Sequence, residues 1–121
     1  MGKKILIVDD SGSMRQMVNF TLTEEGFDVA EAVDGQDGFD SLESANPDLI
    51  VTDINMPNMN GIDLIKAVRE TEKFKFTPII VLTTESEQSK QDAGKKAGAS
   101  AWLVKPFTPE KLIETVKKVL G

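Results

Sequence analysis

Apolar side chains fall along the chain in short unbroken runs that alternate with stretches of helical period. Ile5-Leu6-Ile7-Val8, Leu49-Ile50-Val51 and Ile79-Ile80-Val81-Leu82 are uninterrupted and largely β-branched, as strands buried on both faces of a parallel sheet are. Residues 101–104 read as a further strand, and residues 27–33 as a weaker one broken by Glu31, which predicts an edge. Between the first two strands, Met14, Met17, Val18, Thr21 and Leu22, with Glu25, share one helical face. Ser11 or Ser13 can cap that helix at its start and Gly26 at its end. Asp34-Gly35 opens a second helix carrying Phe39 and Leu42 and closed before Pro47; Ile62, Leu64, Ile65 and Val68 mark a third. Residues 86–97 are helical by position, yet Ala93 and Ala97 are their only apolar residues and Gly94 lies among them. That helix has little with which to grip a core. Thr108-Pro109 caps a fifth, along which Leu112, Ile113, Val116, Val119 and Leu120 form an apolar stripe. Lys117 and Lys118 suit its C-terminal dipole.

Five strands alternating with five helices predict an α/β fold, a doubly wound five-stranded parallel sheet with helices on both faces and right-handed crossovers. For the strand order 2-1-3-4-5, ligands bind beyond the C-terminal ends of strands 1 and 3, where the order reverses. With 121 residues and no linker, repeat or low-complexity segment, the expectation is a single domain over residues 1–121.

Composition narrows the chemistry. There is no cysteine and no histidine, so thiolate chemistry is excluded, and any histidine chemistry must come from another protein. No apolar run approaches the ~20 residues that span a bilayer, and four apolar residues after Lys3-Lys4 are too few for a signal peptide. Leu6 stands where an N-myristoylation signal requires Ser or Thr. A cytoplasmic protein without membrane insertion is expected. The net charge of −6 disfavours nucleic acid as a partner, and it divides unevenly, −9 over residues 1–60 and +3 over residues 61–121.

Four strands end in polar groups on the same predicted edge: Asp9 and Asp10, Asp53, Thr83 and Thr84, and Lys105. Singly, such residues cap helices or end strands as often as they do chemistry. Their convergence is what points to a site. Pro57 forbids strand 3 from continuing, so Asp53 stands at a strand-to-loop junction, before the turn signal Asn60-Gly61. Carboxylates ~4 Å apart repel by ~4 kcal/mol at an effective dielectric of about 20. Lys105 offsets part of this. A divalent hard cation offsets more, and carboxylate, carbonyl and water oxygens suit Mg²⁺. With Mg²⁺ the cleft accepts a phosphoryl group, Asp53 is the candidate nucleophile, and Thr83 and Lys105 can bind the phosphoryl oxygens.

Ile7-Val8-Asp9-Asp10, Asp53-Ile54-Asn55-Met56-Pro57, Asn60-Gly61, Leu82-Thr83, Gly98-Ala99 and Val104-Lys105-Pro106-Phe107 together resemble the receiver domains of two-component response regulators, specifically the single-domain chemotaxis type. The resemblance covers almost the whole chain. It implies that Asp53 is the phosphoacceptor, that Asp10, Asp53 and the main-chain carbonyl of Asn55 ligate Mg²⁺ with support from Asp9, and that Thr83 and Lys105 contact the phosphoryl group. It also implies a cis Lys105-Pro106 bond, a histidine kinase (CheA-like) as phosphodonor, and a protein output target such as a flagellar motor switch component, met by a monomer. Asn55 and Glu85 take the positions that flank the attacking water and set the lifetime of the phosphoryl group. Trp102 stands in place of the switch aromatic, usually Tyr or Phe, and Thr84 is β-branched where a small residue is common. Both departures bear on read-out rather than on transfer. The resemblance implies a switch that acts on itself rather than an enzyme with turnover, serving chemotaxis or another phosphorelay.

Two rivals differ at named residues. A haloacid-dehalogenase-type phosphatase needs Asp-x-Asp, and here the second position is Asn55, which cannot serve as general acid. A flavodoxin-like flavin binder could cradle phosphate at Ser11-Gly12-Ser13, but Asp9-Asp10 immediately before that loop would repel it. No G-x-G-x-x-G follows the first strand, which disfavours a dinucleotide site.

Overall fold

The computed structural model describes residues 3–84 and 88–121. Five strands, β1 (Lys4–Val8), β2 (Asp28–Ala32), β3 (Leu49–Asp53), β4 (Ile79–Thr84) and β5 (Ala101–Lys105), form one parallel sheet in the order β2-β1-β3-β4-β5. This is the expected topology, with the broken strand β2 at an edge. The helices are α1 (Gly12–Glu24), α2 (Gly35–Asp40), α3 (Leu42–Ala45), α4 (Gly61–Arg69), α5 (Gln88–Ala97) and α6 (Pro109–Leu120).

The unbroken strand runs are explained by two apolar layers. Leu6, Val8, Ile50, Ile79 and Val81 face one side, with Leu42, Leu64, Ile65 and Val68. Ile5, Ile7, Leu49, Val51, Ile80 and Leu82 face the other, with Val18, Leu22, Leu112 and Val116. Successive strand residues therefore serve opposite layers, and none can be polar without cost. Each fully buried aliphatic side chain contributes roughly 1.5–3 kcal/mol of transfer free energy.

Two details depart from the sequence expectation. The predicted second helix is two, because Gly38, Asp40 and Ser41 are weak helix formers; the Ser41 amide is shared between the carbonyls of Asp37 (3.0 Å) and Gly38 (3.2 Å) where the helix breaks. Six helices result rather than five. A 3₁₀ turn, Glu72–Phe74, carries Phe74 into the core although no periodicity announced it. The fourth predicted helix is present as α5, and residues 86 and 87 of the expectation lie outside the described ones. Ser11 rather than Ser13 caps α1, accepting from the Met14 amide at 3.3 Å. Thr108 caps α6, with Pro109 in its first turn, and Lys105-Pro106 is cis, both as expected.

Candidate functional site

The C-terminal ends of β1 and β3 are adjacent because the two strands pair from Ile5↔Leu49 to Val8↔Thr52. Chain continuation then places Asp9 and Asp53 side by side. The Asp9 amide donates to the Ala32 carbonyl (3.1 Å), and its Oδ1 accepts from the Ser11 amide (2.9 Å). That short turn leads directly into the capped start of α1. Across the reversal point, Asp53 Oδ1 accepts from the Ile54 amide (2.8 Å) and Oδ2 from Lys105 Nζ (3.2 Å). One oxygen from each of Asp9, Asp10 and Asp53 lies within 4.8 Å of the others.

The three acids differ in environment. Asp10 is exposed, Asp53 half-buried, and Asp9 has no exposed surface. Asp9 Oδ2 is buried with no hydrogen-bond partner among the described residues. Burial raises the Asp9 carboxyl above the usual carboxylate range; the Ser11 amide partly offsets this, and the neighbouring Asp53 charge adds to it. An unpartnered, buried carboxylate oxygen beside two further carboxylates fits a hard divalent cation, which supplies the missing partner and reduces the repulsion.

Thr83 is buried at the end of β4, and Thr84, exposed, lies opposite Lys105 in the β4–β5 register. Both threonines, like Asn55 in the loop after β3, make further polar contacts. Trp102 lies three residues before Lys105, opposite Val81, and packs with the apolar layer that holds Ala97 and Ala99. It is thus set back from the acids, beneath α5. Its Nε1 is buried and has no hydrogen-bond partner among the described residues. Glu85 lies outside the described residues.

Sequence reasoning passed over three supports of this site. Arg15 donates from Nη1 to the Asp9 carbonyl (2.7 Å) and from Nε to Glu31 (3.0 Å), bracing the β1 terminus from α1; its place one turn into the helix after the acid pair was the available signal. Gly61 reads as a turn residue, yet a Cβ there would run into the Asp53 carbonyl, and its amide donates to Ile54 (2.8 Å). Asp34 reads as a helix opener, and it also accepts from Asn58 in the loop beyond Asp53.

The chain is similar to known proteins over almost its whole length. Chemotaxis protein CheY1 of Helicobacter pylori is 44% identical over 120 residues, covering 98% of this chain and 97% of its own. The solved chemotaxis response regulator CheY4 of Vibrio cholerae superimposes with a TM-score of 0.93 at 47% identity, covering 98% of this chain and 99% of that one. The receiver domain of the sensor histidine kinase PA1611 of Pseudomonas aeruginosa, solved with magnesium coordinated in its active-site cleft, gives 0.91 at 27% identity over 100% and 99%. Residues 5–117 match the response regulator receiver domain, and the chain belongs to that family.

Proposed function

We propose that the chain is a signalling switch that takes a phosphoryl group from a phosphohistidine onto Asp53 and reports the change by protein contact in chemotaxis. The carrying observation is Asp53 itself, held between the Ile54 amide and Lys105 and within 4.8 Å of two further acids. In the transfer, an Asp53 oxygen bonds to phosphorus as the P–N bond breaks, and the imidazole leaves with the bonding electrons and takes up one proton from water. Lys105 exchanges its carboxylate partner for a phosphoryl oxygen, and Thr83 donates its hydroxyl to another. Water later bonds to phosphorus, releasing inorganic phosphate and regenerating the carboxylate, a step whose rate Asn55 and Glu85 tune.

Asp10, Asp53 and the Asn55 carbonyl would hold Mg²⁺, with Asp9 in support, as the magnesium in the solved PA1611 receiver suggests. Bound there, the ion supplies charge neutralisation and a Lewis acid for the phosphoryl oxygens. The donor is a histidine kinase, CheA-like in a chemotaxis pathway, consistent with a chain that lacks histidine. Among the described residues no helix is long and apolar enough to cross a membrane; action in the cytoplasm, as a single domain, is part of this reading. The output surface is the face of α5, β5 and α6; a cavity of about 570 Å³ between the start of β5 and α6 borders it, bounded by Phe76, Trp102, Lys111 and Lys118 among others. A flagellar motor switch component is the proposed target.

Asp53→Asn removes the nucleophile while keeping shape. Incubation with acetyl phosphate and Mg²⁺ should label the wild-type chain with a base-labile phosphoryl group and leave Asp53→Asn unlabelled. Equal labelling of the variant would overturn the assignment.

A further inference from the structure

The loop that follows Asp53 is tied to an element the phosphoryl chemistry does not use. Asp34, at the start of α2, is 9% exposed and bonds in two directions. Its Oδ1 accepts from the Asp37 amide at 2.8 Å, capping α2, and its Oδ2 accepts from Asn58 Nδ2 at 2.6 Å. Those bonds, the Asp37 amide first and Asn58 next, hold the Asp34 carboxyl below the usual carboxylate range, so it is an anion at neutral pH. Asn58 has φ 68, the left-handed region that few non-glycine residues adopt. Beside it, Gly35 abuts the Met59 carbonyl so closely that a Cβ would collide with it. The Met59 amide closes back onto the Pro57 carbonyl at 2.7 Å. Residues 57–59 are therefore seated on the N-terminus of α2 by one charge-assisted bond and one direct backbone contact, and the same loop carries Asn55.

We propose that Asp34 and Asn58 are positioning residues: their bond fixes the loop that presents the Asn55 carbonyl, and so sets the affinity of the acid cluster for a divalent cation. The inference rests on the metal reading of the site given above. Two features favour positioning over mere stability. The bond spans 24 residues of sequence and joins two loops rather than closing a core. Asn58 also holds a left-handed backbone that asparagine tolerates better than most side chains but glycine adopts at still lower cost, so the side chain kept there is the one whose amide makes the bond.

Two variants break the bond by different means. Asn58→Gly deletes the amide, relieves the backbone and changes no charge. Asp34→Asn retains one acceptor where two are needed, and asparagine still caps helices well. Calorimetric titration with Mg²⁺ should show each variant binding about tenfold more weakly than wild type, at the low end of what outer partners of a metal site contribute. The double variant should be no weaker than either single one, because both remove the same bond. In metal-free protein, amide exchange at Met59 should quicken in both variants while exchange in β1 and β3 stays unchanged. Asn58→Gly decides the question even if Asp34→Asn does not fold. Wild-type affinity in Asn58→Gly, or effects that multiply in the double variant, would overturn this inference alone. A wild-type chain that gives no Mg²⁺ binding would overturn the metal reading and this inference with it.

Discussion

Asp9 has no exposed surface, and one of its oxygens finds no donor among the described residues, so ionising it in the metal-free protein costs stability that the unfolded chain does not lose. The sign follows from the direction of its shift. The folded carboxyl titrates above the unfolded value of 3.8; the cost is absent below that pH and grows as pH rises through the folded value. Asp34 behaves in the opposite sense: its folded value lies below 3.8, so its stabilisation is present above that pH and fades as pH falls through the folded value. Asp9→Asn should therefore melt higher than wild type at pH 7 without divalent metal, by a few degrees if roughly 1 kcal/mol of repulsion and desolvation is removed. The advantage should vanish near pH 3, where wild-type Asp9 is protonated as well. Thermal melts at the two pH values check this, and a variant less stable at pH 7 would show that Asp9 is held by bonds worth more than its burial costs. The acids themselves were legible because strand ends are. The orphaned oxygen was not, since burial of one residue after a strand depends on the loops that cover it.

At the scale of elements, α5 corrects a partial reading. Its scarcity of apolar residues predicts a weak grip, and Gly94 adds to that expectation. In the structure Gly94 faces the Trp102 ring, and a Cβ there would run into the indole Cζ3. The missing side chain makes room for the indole. The C-terminal end of α5 is held from outside, where Arg69 donates to the Gly98 carbonyl (2.7 Å from Nη2) and also to Thr77 (2.7 Å from Nη1). These anchors are unreadable from periodicity, because one is an absence of atoms and the other a side chain reaching between loops. Gly94→Ala sets two effects against each other: a gain of roughly 0.5–1 kcal/mol in helix propensity and an overpacking cost of about 1–3 kcal/mol. A Cβ there leaves the indole no room unless the whole ring turns into the cavity it borders, so the cost should win. Gly94→Ala should lower the denaturation midpoint and shift Trp102 emission, and adding Trp102→Phe should restore most of the loss. Stabilisation by Gly94→Ala in the wild-type background would mean that the ring moves aside freely and that α5 is not coupled to it.

Over the whole molecule, the topology was legible because each buried strand must be apolar on both faces, and the site because a parallel sheet brings all its C-terminal ends to one edge. The links between loops were not: Asp34 to Asn58, Arg15 to the Asp9 carbonyl and the seat of Gly61 against Asp53 join residues that no local pattern relates. The same gathering of strand ends concentrates charge. Residues 1–60 carry −9, and three of those acids meet within 4.8 Å at the sheet edge, whereas in the unfolded chain Asp53 is more than 40 residues from Asp9 and Asp10. A cation that binds there binds the folded state almost alone, so it must raise stability by mass action. At a hundred times its dissociation constant, Mg²⁺ should contribute about 2.7 kcal/mol, or roughly 10 °C in melting temperature for a domain of this size. Asp10→Ala removes one of the three acids at an exposed position, where the fold itself loses little, and should abolish most of that rise. Differential scanning of both proteins with and without Mg²⁺ reads the effect directly. An equal rise in the variant would place the ion away from this edge, whereas a rise confined to wild type ties the folded state's stability to the same carboxylates that the proposed phosphoryl chemistry uses.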